Sequence, residues 1–292
     1  MTLAVATRPS PLALAQAGLV ALALGLGEEA LLPVESESGP RDKERFVHGV
    51  EQAILAGRAE LGVHSAKDLP GEMTAGLTIA AVPGRADPRD AWIGPGGSLG
   101  EIPEGARVGT ASLRRRAQLL AARPDLVPVE LRGNVDTRLR KLREGEADGI
   151  VLAVAGLERL GRADEIGFTF EPEEMTPAAG QGALVLQARS GWPGLEEAGR
   201  IDDGPARREL RAERAAVVAL GADCSSPVGV HARHRDGRLA VDGFAGAADG
   251  SAWVRDRVEG EPADAEALGR ELASRMLAAG AAAAMSGSTL SP

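Results

Sequence analysis

The segment RVGTASLRRRAQLLAARPDLVPVELRGNVDTRLRKLREGEADGIVLAVA (107–155) decides the fold, because strand and helix patterns alternate along it. Short apolar runs predict strands at RVGT, VPVEL and GIVLAVA. The residues between these runs predict one helix that ends near Arg123 and a second that ends near Glu144. This alternation is typical of an α/β unit with largely parallel strands.

The residues before this segment repeat the alternation but not the sequence. Strands are predicted at LAVAT, LGVHS and GLTIAAVP, and helices at 10–26 and FVHGVEQAILAG. The turn-rich GRADPRDA (84–91) separates two units, and PAAGQGALVLQAR (177–189) contains a strand that returns to the first unit. Two similar α/β lobes joined in this way imply a ligand cleft between them.

The C-terminal third has a different pattern. A proline opens the helix PARRELRAERAAVVALG, three alternating segments predict antiparallel strands, and ADAEALGRELASRMLAAG predicts a last helix. We therefore predict an α/β protein of three domains. Domain 1 comprises residues 1–85 and 183–200, domain 2 comprises 88–178, and a small α+β domain 3 comprises 205–292.

Arginines are concentrated in GTASLRRR (109–116) and LRGNVDTRL (131–139), although the formal net charge is -9. From Arg114 to Arg143 there are eight arginines and one lysine against three acids. Each segment is predicted to run from a strand into a helix N-terminus, whose free N–H groups favour anions. Arginine adds paired hydrogen bonds to carboxylate or phosphate. The pattern predicts a ligand with many negative groups, and a solvated charged face is the alternative.

Composition limits the other classes of function. A pI near 5.1 argues against general nucleic-acid binding, which needs a broadly basic face. The single cysteine excludes an intrachain disulfide and fits a reducing compartment. The apolar run 11–27 is too short to span a bilayer and predicts a buried helix, not a signal peptide. We therefore expect a cytoplasmic protein without nucleic-acid or membrane partners.

Polar side chains follow the ends of two strands in the first unit. VHSAKDLP (63–70) carries Ser65, Lys67 and Asp68 beyond a strand, where α/β folds form their sites. In a cleft, Asp68 can transfer protons or stabilise a cation, and Lys67 can bind an anion. A surface ion pair of low energy is the alternative. Arg8 and Ser10 follow the first strand in the same way.

Cys224 lies in the loop GADCSSPVG (221–229). It is either a buried structural cysteine or a thiolate whose pKa is lowered beside an arginine-lined cleft. His231 and His234 follow it at a spacing that resembles a metal motif. An offset of three places two strand residues on opposite faces, and no fourth ligand is evident, so we predict no metal site.

Taken together, the motifs resemble the porphobilinogen deaminase (hydroxymethylbilane synthase) family. The matching segments, in that family's order, are TRPSPLALAQ, VHSAKDLP, DPRDA, GTASLRRR, LRGNVDTRLRKL, DGIVLAVAGLERLG, PAAGQGAL and the Cys224 loop. The resemblance spans nearly the whole chain. It implies two lobes like those of type II periplasmic binding proteins around a cleft, with a third domain beside them.

The resemblance implies a transferase that joins four porphobilinogen units head to tail and releases the linear tetrapyrrole hydroxymethylbilane. Asp68 is implied as the catalytic residue, and Cys224 as the thioether attachment of one dipyrromethane cofactor. Further cofactor-binding residues are implied at Lys67, Ser65, Thr110, Ser112, Arg114, Arg115, Arg132 and Arg138. Substrate binding is implied for Arg8, Ser10, Arg159 and Gln181. The protein is expected to be a monomer.

Two departures from the family pattern carry expectations. The segment PVESESGPRDKERF (33–46) stands where the family carries a longer loop, so we predict a shorter cover over the cleft and assign Lys43 no equivalent. Asp223 stands before the cysteine where glycine is usual. Its carboxylate is predicted to raise the pKa of the thiol and to slow cofactor attachment.

Two other classes of protein are alternatives. A non-catalytic two-lobed protein that binds polycarboxylates would keep the arginines but need neither Asp68 nor Cys224. A cysteine hydrolase would need a histidine partner that the sequence around Cys224 does not offer convincingly.

Overall fold

The computed structural model describes residues 3–35, 44–223 and 225–287. The strands are β1 (Val5–Thr7), β2 (Leu31–Pro33), β3 (Leu61–Ser65), β4 (Leu77–Ala81), β5 (Asp90–Ile93), β6 (Arg107–Gly109), β7 (Val127–Val129), β8 (Gly149–Ala153), β9 (Phe168–Thr169), β10 (Leu184–Arg189), β11 (Val228–Arg235), β12 (Arg238–Gly246) and β13 (Trp253–Gly260). The helices are α1 (Pro11–Ala23), α2 (Glu44–Leu55), α3 (Leu113–Ala122), α4 (Val135–Arg143), α5 (Val154–Arg159), α6 (Leu195–Ala198), α7 (Gly204–Ala219), α8 (Ala265–Ala278) and α9 (Ala281–Met285). Across these ranges, no helix combines the length and the apolarity that a membrane crossing requires.

Two five-stranded sheets share one topology. The first has the order β2-β1-β3-β10-β4, and the second has the order β7-β6-β8-β5-β9. In each sheet one strand pairs in parallel with two neighbours, β1 with β2 and β3, and β6 with β7 and β8. In each, a further strand pairs antiparallel with two neighbours, β10 with β3 and β4, and β5 with β8 and β9. The prediction of two similar α/β lobes is therefore confirmed.

The expectation of largely parallel sheets is wrong for β5 and β10. Each of these two strands enters its sheet from a segment that crosses between the lobes. Parallel pairing needs a β-α-β connection, which returns the chain to the same end of the sheet, and neither strand is preceded by one. β5 itself was missed, because DAWI follows directly on the turn-rich GRADPR. The strand predicted at 149–155 ends at Ala153, and Val154 N opens α5 while donating a 3.1 Å hydrogen bond to Arg89 O of the first crossing.

The C-terminal sheet is antiparallel, as predicted, with the order β11-β12-β13. One face packs on α7 and α8 around Val241, Leu272 and Met276, each fully buried, which stabilises the sheet by about 1.5–3 kcal/mol per side chain. Gly269 allows α8 to approach α7 closely, because a Cβ there would lie 2.1 Å from Ala212 O. The two helices therefore pack almost backbone to backbone.

The two crossing segments, 84–89 and 177–183, are hydrogen-bonded to each other and to α7. Ala86 N donates to Gly182 O at 3.3 Å, and Arg85 Nε donates to Gln181 O at 2.9 Å. Glu213 of α7 is fully buried and accepts from Arg85 Nη1 at 2.7 Å. Burial raises the pKa of Glu213, but the charges and hydrogen bonds of Arg85 and His231 together lower that pKa overall. The point where the lobes exchange strands is thus tied to the third sheet by a buried ion pair.

Candidate active site

Helix N-termini follow the strand ends that point toward the crossings, and the side chains of Ser10, Ser112 and Asn134 cap three of them. Ser10 Oγ accepts from Ala13 N at the start of α1, at 3.3 Å. Ser112 Oγ accepts from Arg115 N at the start of α3, at 3.5 Å, and Ser112 N donates to Thr110 Oγ1 at 3.1 Å. These bonds satisfy N–H groups that a helix cannot satisfy internally, and they bring Thr110 and Ser112 to the base of α3.

One cavity lies over the ends of β1 and β3 in the first lobe. Its wall includes four predicted site residues, Arg8, Ser10, Ser65 and Asp68, and also His64, which precedes Ser65 in the sequence. Burial lowers the pKa of Arg8, and the negative charge of Asp68 offsets part of that effect. The structure therefore brings the predicted catalytic carboxylate and a substrate-binding arginine into one cavity.

Gln16 completes this wall and was not assigned a role from the sequence. Its Nε2 donates to Ser65 Oγ at 2.9 Å, and Ser65 Oγ lies 3.2 Å from its Oε1. Gln16 is buried, and it is the polar residue that interrupts the apolar run of α1. An amide side chain within an otherwise apolar helix could have indicated a functional role for Gln16. Its hydrogen bonds hold the Ser65 hydroxyl in place.

His64 is a buried, uncharged part of the same wall. Its Nε2 lies 3.1 Å from Gln187 Oε1, and Gln187 Nε2 donates to Glu51 Oε1 at 2.8 Å. Burial lowers the pKa of His64 to about 4, with smaller opposing effects from Glu51 and Asp68. At neutral pH the imidazole is therefore neutral, so Arg8 is the cation beside Asp68 in this wall.

Lys67 lies on the side of the first lobe that faces the crossings. Its Nζ is 3.4 Å from Gln181 Oε1. Burial, with a smaller contribution from the positive charge of Arg115, lowers the pKa of Lys67 to about 8, while the charges of Asp68 and Asp90 oppose the shift. The amine is therefore positively charged at neutral pH but close to titration, as expected for a lysine whose anionic partner is a ligand.

Arg114 and Arg115 are buried on α3 and share one carboxylate, Asp90. Arg115 Nη2 lies 2.7 Å from Asp90 Oδ1, and Arg114 Nη1 lies 2.7 Å from Asp90 Oδ2. Burial raises the pKa of Asp90, but the charges of the two arginines outweigh it and hold that pKa well below its usual range. Asp90 belongs to the DPRDA motif, but the sequence did not indicate its role. Its partners Arg114 and Arg115 lie 24 and 25 positions later, and no local sequence pattern reveals such a contact.

Arg138 and Arg159 lie near this pair, whereas Arg132 does not join it. Burial and the charge of Arg115 lower the pKa of Arg138 to about 10, and its buried Nε has no hydrogen-bond partner. Arg159 Nη2 donates to Gly182 O of the second crossing at 2.7 Å. The Arg132 side chain is 81% exposed and pairs with Glu130 at 2.5 Å. Of the six predicted arginines, two are therefore buried, three are half-buried and Arg132 is exposed.

This division predicts different costs for two alanine substitutions. Arg114→Ala removes the ion pair with buried Asp90 and the hydrogen bond to Thr176 O, and it is expected to lower the free energy of unfolding by about 1.5–3 kcal/mol. Arg132→Ala removes a surface pair and is expected to change it by less than about 0.5 kcal/mol. Urea unfolding of both variants measures the difference. Equal destabilisation by the two substitutions would contradict the assignment of Arg114 to a buried pair.

Cys224 and residues 36–43, including Lys43, lie outside the described residues, so the attachment role and the shorter cover stay predictions. Asp223, next to Cys224, is described. Its Oδ1 accepts from Ser225 Oγ at 2.7 Å, from Ser225 N at 2.8 Å and from Ser226 Oγ at 2.9 Å. These hydrogen bonds, led by that of the Ser225 side chain, lower the pKa of Asp223, so a negative charge persists beside the cysteine.

Lys67, Arg114, Arg115 and Arg138 form a cationic cluster at the junction of the two lobes. Two α/β lobes with such a cluster between them are typical of proteins that bind a small molecule with several carboxylates. Family models place the chain within that class. Residues 3–197 match the model described as porphobilinogen deaminase, dipyromethane cofactor binding domain, and residues 208–278 match porphobilinogen deaminase, C-terminal domain. The chain therefore belongs to the porphobilinogen deaminase family.

Curated relatives agree with this result over almost the full length. The porphobilinogen deaminase of Roseiflexus castenholzii is 44% identical over 301 residues, covering 98% of this chain and 99% of the relative. That of Rubrobacter xylanophilus is 45% identical over 294 residues, covering 96% and 95%. Among solved structures, a TRAP periplasmic solute-binding protein from Desulfovibrio salexigens aligns with a TM-score of 0.41 at 11% identity, covering 68% of this chain and 72% of that chain.

Proposed function

We propose that the chain is a hydroxymethylbilane synthase, a transferase that deaminates four porphobilinogen units and condenses them on a covalent dipyrromethane primer. The observation that carries this proposal is the combination of Asp68 in a cavity of the first lobe with Lys67, Arg114 and Arg115 at the lobe junction. A chain of pyrroles needs both features, one carboxylate for the chemistry and several cations for its acetate and propionate groups.

The described residues fit the dipyrromethane cofactor by charge. Arg114 and Arg115 share a single buried carboxylate, and the buried Nε of Arg138 lacks a partner. The cluster therefore holds more positive than negative charge, which ligand carboxylates can balance. When bound, the dipyrromethane supplies the electron-rich pyrrole to which the first substrate unit is added. Lys67, Arg114, Arg115 and Arg138 would hold its acetate and propionate groups.

Asp68 carries the chemical step in this proposal. Departure of ammonia from porphobilinogen leaves an electron-poor cation, which a carboxylate in a partly desolvated cavity stabilises. The same carboxylate can take and return a pyrrole proton. Neutral His64 supports both roles, because a second cation in the wall would compete with the substrate cation for Asp68. Arg8 and Ser10 then bind the carboxylates of the incoming unit.

The pKa of Lys67 predicts a pH dependence of catalysis. Lys67 is charged below a pKa of about 8 and loses its charge as the pH rises above it. The value of kcat/KM, which reports the free enzyme, is therefore expected to fall as the pH rises from 7 to 9. Lys67→Arg keeps the charge over this range and should flatten the profile, while the ionisation of porphobilinogen is common to both proteins. Identical profiles for the two proteins would exclude Lys67 as the titrating group.

The proposed function is tested by incubating the purified chain with porphobilinogen and following product and protein mass together. We expect release of hydroxymethylbilane and, in native mass spectra, protein species with one to three added substrate units. A protein that binds porphobilinogen, returns it unchanged and never gains mass would instead be the non-catalytic polycarboxylate binder. The cytoplasmic location, the monomeric state and the absence of nucleic-acid and membrane partners stay predictions from the sequence.

A further inference from the structure

Asp90 is the anion at the centre of the candidate cofactor site. It is the first residue of β5, immediately after the first crossing, and it is fully buried. Its Oδ1 accepts from Arg115 Nε at 3.0 Å, from Arg115 Nη2 at 2.7 Å and from Gln181 Nε2 at 3.0 Å. Its Oδ2 lies 2.7 Å from Arg114 Nη1. Residues from α3 and from the second crossing therefore meet on one carboxylate, which directly follows the first crossing.

Hydrogen bonds continue from Asp90 into the first lobe through Gln181. An ionised carboxylate only accepts, so Gln181 presents its amide N–H groups to Asp90 and to Pro88 O, the latter at 2.7 Å. Its carbonyl oxygen is thereby directed to Lys67 Nζ, at 3.4 Å. Asp90 and Pro88 O together determine which end of the Gln181 amide meets the lysine.

The backbone around Gln181 leaves little freedom for a different arrangement. Gly180 and Gly182 have φ values of 73° and 86°, which side chains other than glycine rarely adopt. A Cβ at Gly180 would lie 2.8 Å from the backbone of Ala66, which directly precedes Lys67. The second crossing is therefore packed against the loop that carries Lys67 and Asp68.

The contacts of Asp90 also continue, through Arg114, toward the third sheet. Arg114 Nη1 donates to Thr176 O at 2.8 Å, and Thr176 N donates to Gln118 Oε1 at 2.7 Å. Gln118 Oε1 also accepts from Arg255 Nη2 of β13 at 3.0 Å. One continuous series of hydrogen bonds and ion pairs therefore touches all three sheets, and Asp90 is its buried carboxylate.

We propose that Asp90 is a positioning residue for the reaction: it sets the spacing of Arg114 and Arg115 and, through Gln181, the location of Lys67. This inference rests on the proposed function. Without the negative charge, the two guanidinium groups repel each other, and the Gln181 amide is held in its orientation by Pro88 O alone. The cations that bind ligand carboxylates would then lie at the wrong distances, although none of them has been removed. Asp90 itself touches neither substrate nor cofactor in this proposal.

The test uses Asp90→Asn, which keeps the size of the side chain and removes its charge. Asp87→Asn is the matched control, because Asp87 lies in the same crossing and pairs with Arg89, away from the cluster. We expect kcat/KM for porphobilinogen to fall at least tenfold in cofactor-loaded Asp90→Asn, mainly through KM, and to change less than twofold in the control. Wild-type protein without turnover would overturn the proposed function instead, which separates the two failures.

A second readout distinguishes positioning from general support of the fold. The chain has three lysines, Lys43, Lys67 and Lys141, so reductive ¹³C-methylation labels few sites and each can be titrated by NMR. The charge of Asp90 raises the pKa of Lys67 against the effects of burial and of Arg115 and Arg114. Its removal should therefore move the Lys67 titration to lower pH and leave that of Lys141 unchanged. Loss of activity with an unmoved Lys67 titration would overturn the proposal.

If Asp90→Asn fails to fold, Gln181→Met tests the same proposal with the arginine ion pairs intact. This substitution removes the link between Asp90 and Lys67 together with the hydrogen bond from Gln181 to Pro88 O, and it leaves the charge of Asp90 in place. We expect at least a fivefold rise in KM and a changed Lys67 titration. A KM and a titration equal to those of wild type would show that Asp90 does not act on Lys67 and would overturn the proposal.

Discussion

Asp68→Asn is expected to lower turnover by about 10³-fold or more while fold and cofactor content stay unchanged. The carboxylate is proposed both to stabilise a cation and to move a proton, and loss of either function typically costs a factor of 10²–10⁴. An amide of the same size can do neither. The measurement is kcat at saturating porphobilinogen, with cofactor occupancy from intact mass and the folded state from circular dichroism.

Asp148→Asn provides the control for this experiment. Asp148 pairs with Arg107 on the surface of the second lobe, at 2.7 Å, and its removal should leave turnover within twofold of wild type. Near-normal turnover in Asp68→Asn would remove Asp68 from the chemical step. Since Arg8 and Lys67 would remain in place, the cavity would then be a binding site and the reacting carboxylate would have to be sought elsewhere.

Cys224→Ser is expected to abolish the covalent adduct and to reduce activity to background. The chain has no other thiol, so no alternative thioether can form. Intact mass of the native protein should exceed the sequence mass by one dipyrromethane, and the variant should show the sequence mass alone. A serine hydroxyl is too weakly acidic to substitute for the thiol under the same conditions.

Asp223→Gly is the companion variant, because it changes the neighbour of Cys224 and keeps the thiol. The carboxylate of Asp223 stays ionised through its bonds to Ser225 and Ser226, so it should raise the pKa of an adjacent thiol. Its removal should preserve the adduct and accelerate its formation from porphobilinogen. A native protein at the unmodified mass that gains no adduct from porphobilinogen would contradict the role of Cys224.

Local sequence determined the secondary structure and the types of residue in the site. The alternation of apolar runs predicted most helices and strands of both lobes, although not β5 or α5, because the 3.6-residue and two-residue periods need only neighbouring residues to be read. Motif order likewise identified the family, and the surplus of arginine between Arg114 and Arg143 predicted a ligand with many negative groups. The caps at Ser10 and Ser112 were predictable for the same reason, since the bonds they make span three residues.

Only the tertiary structure decided which charges are buried together. It buried Arg114 against Asp90 and left Arg132 exposed, although both arginines follow strand ends in similar segments. It also gave β5 and β10 their antiparallel directions, because each strand enters its sheet from the other lobe. Gln181 meets Asp90 across 91 positions and Lys67 across 114. Contacts of this kind leave no periodic trace in the sequence, since they depend on where two crossings and a helix meet after the lobes have folded.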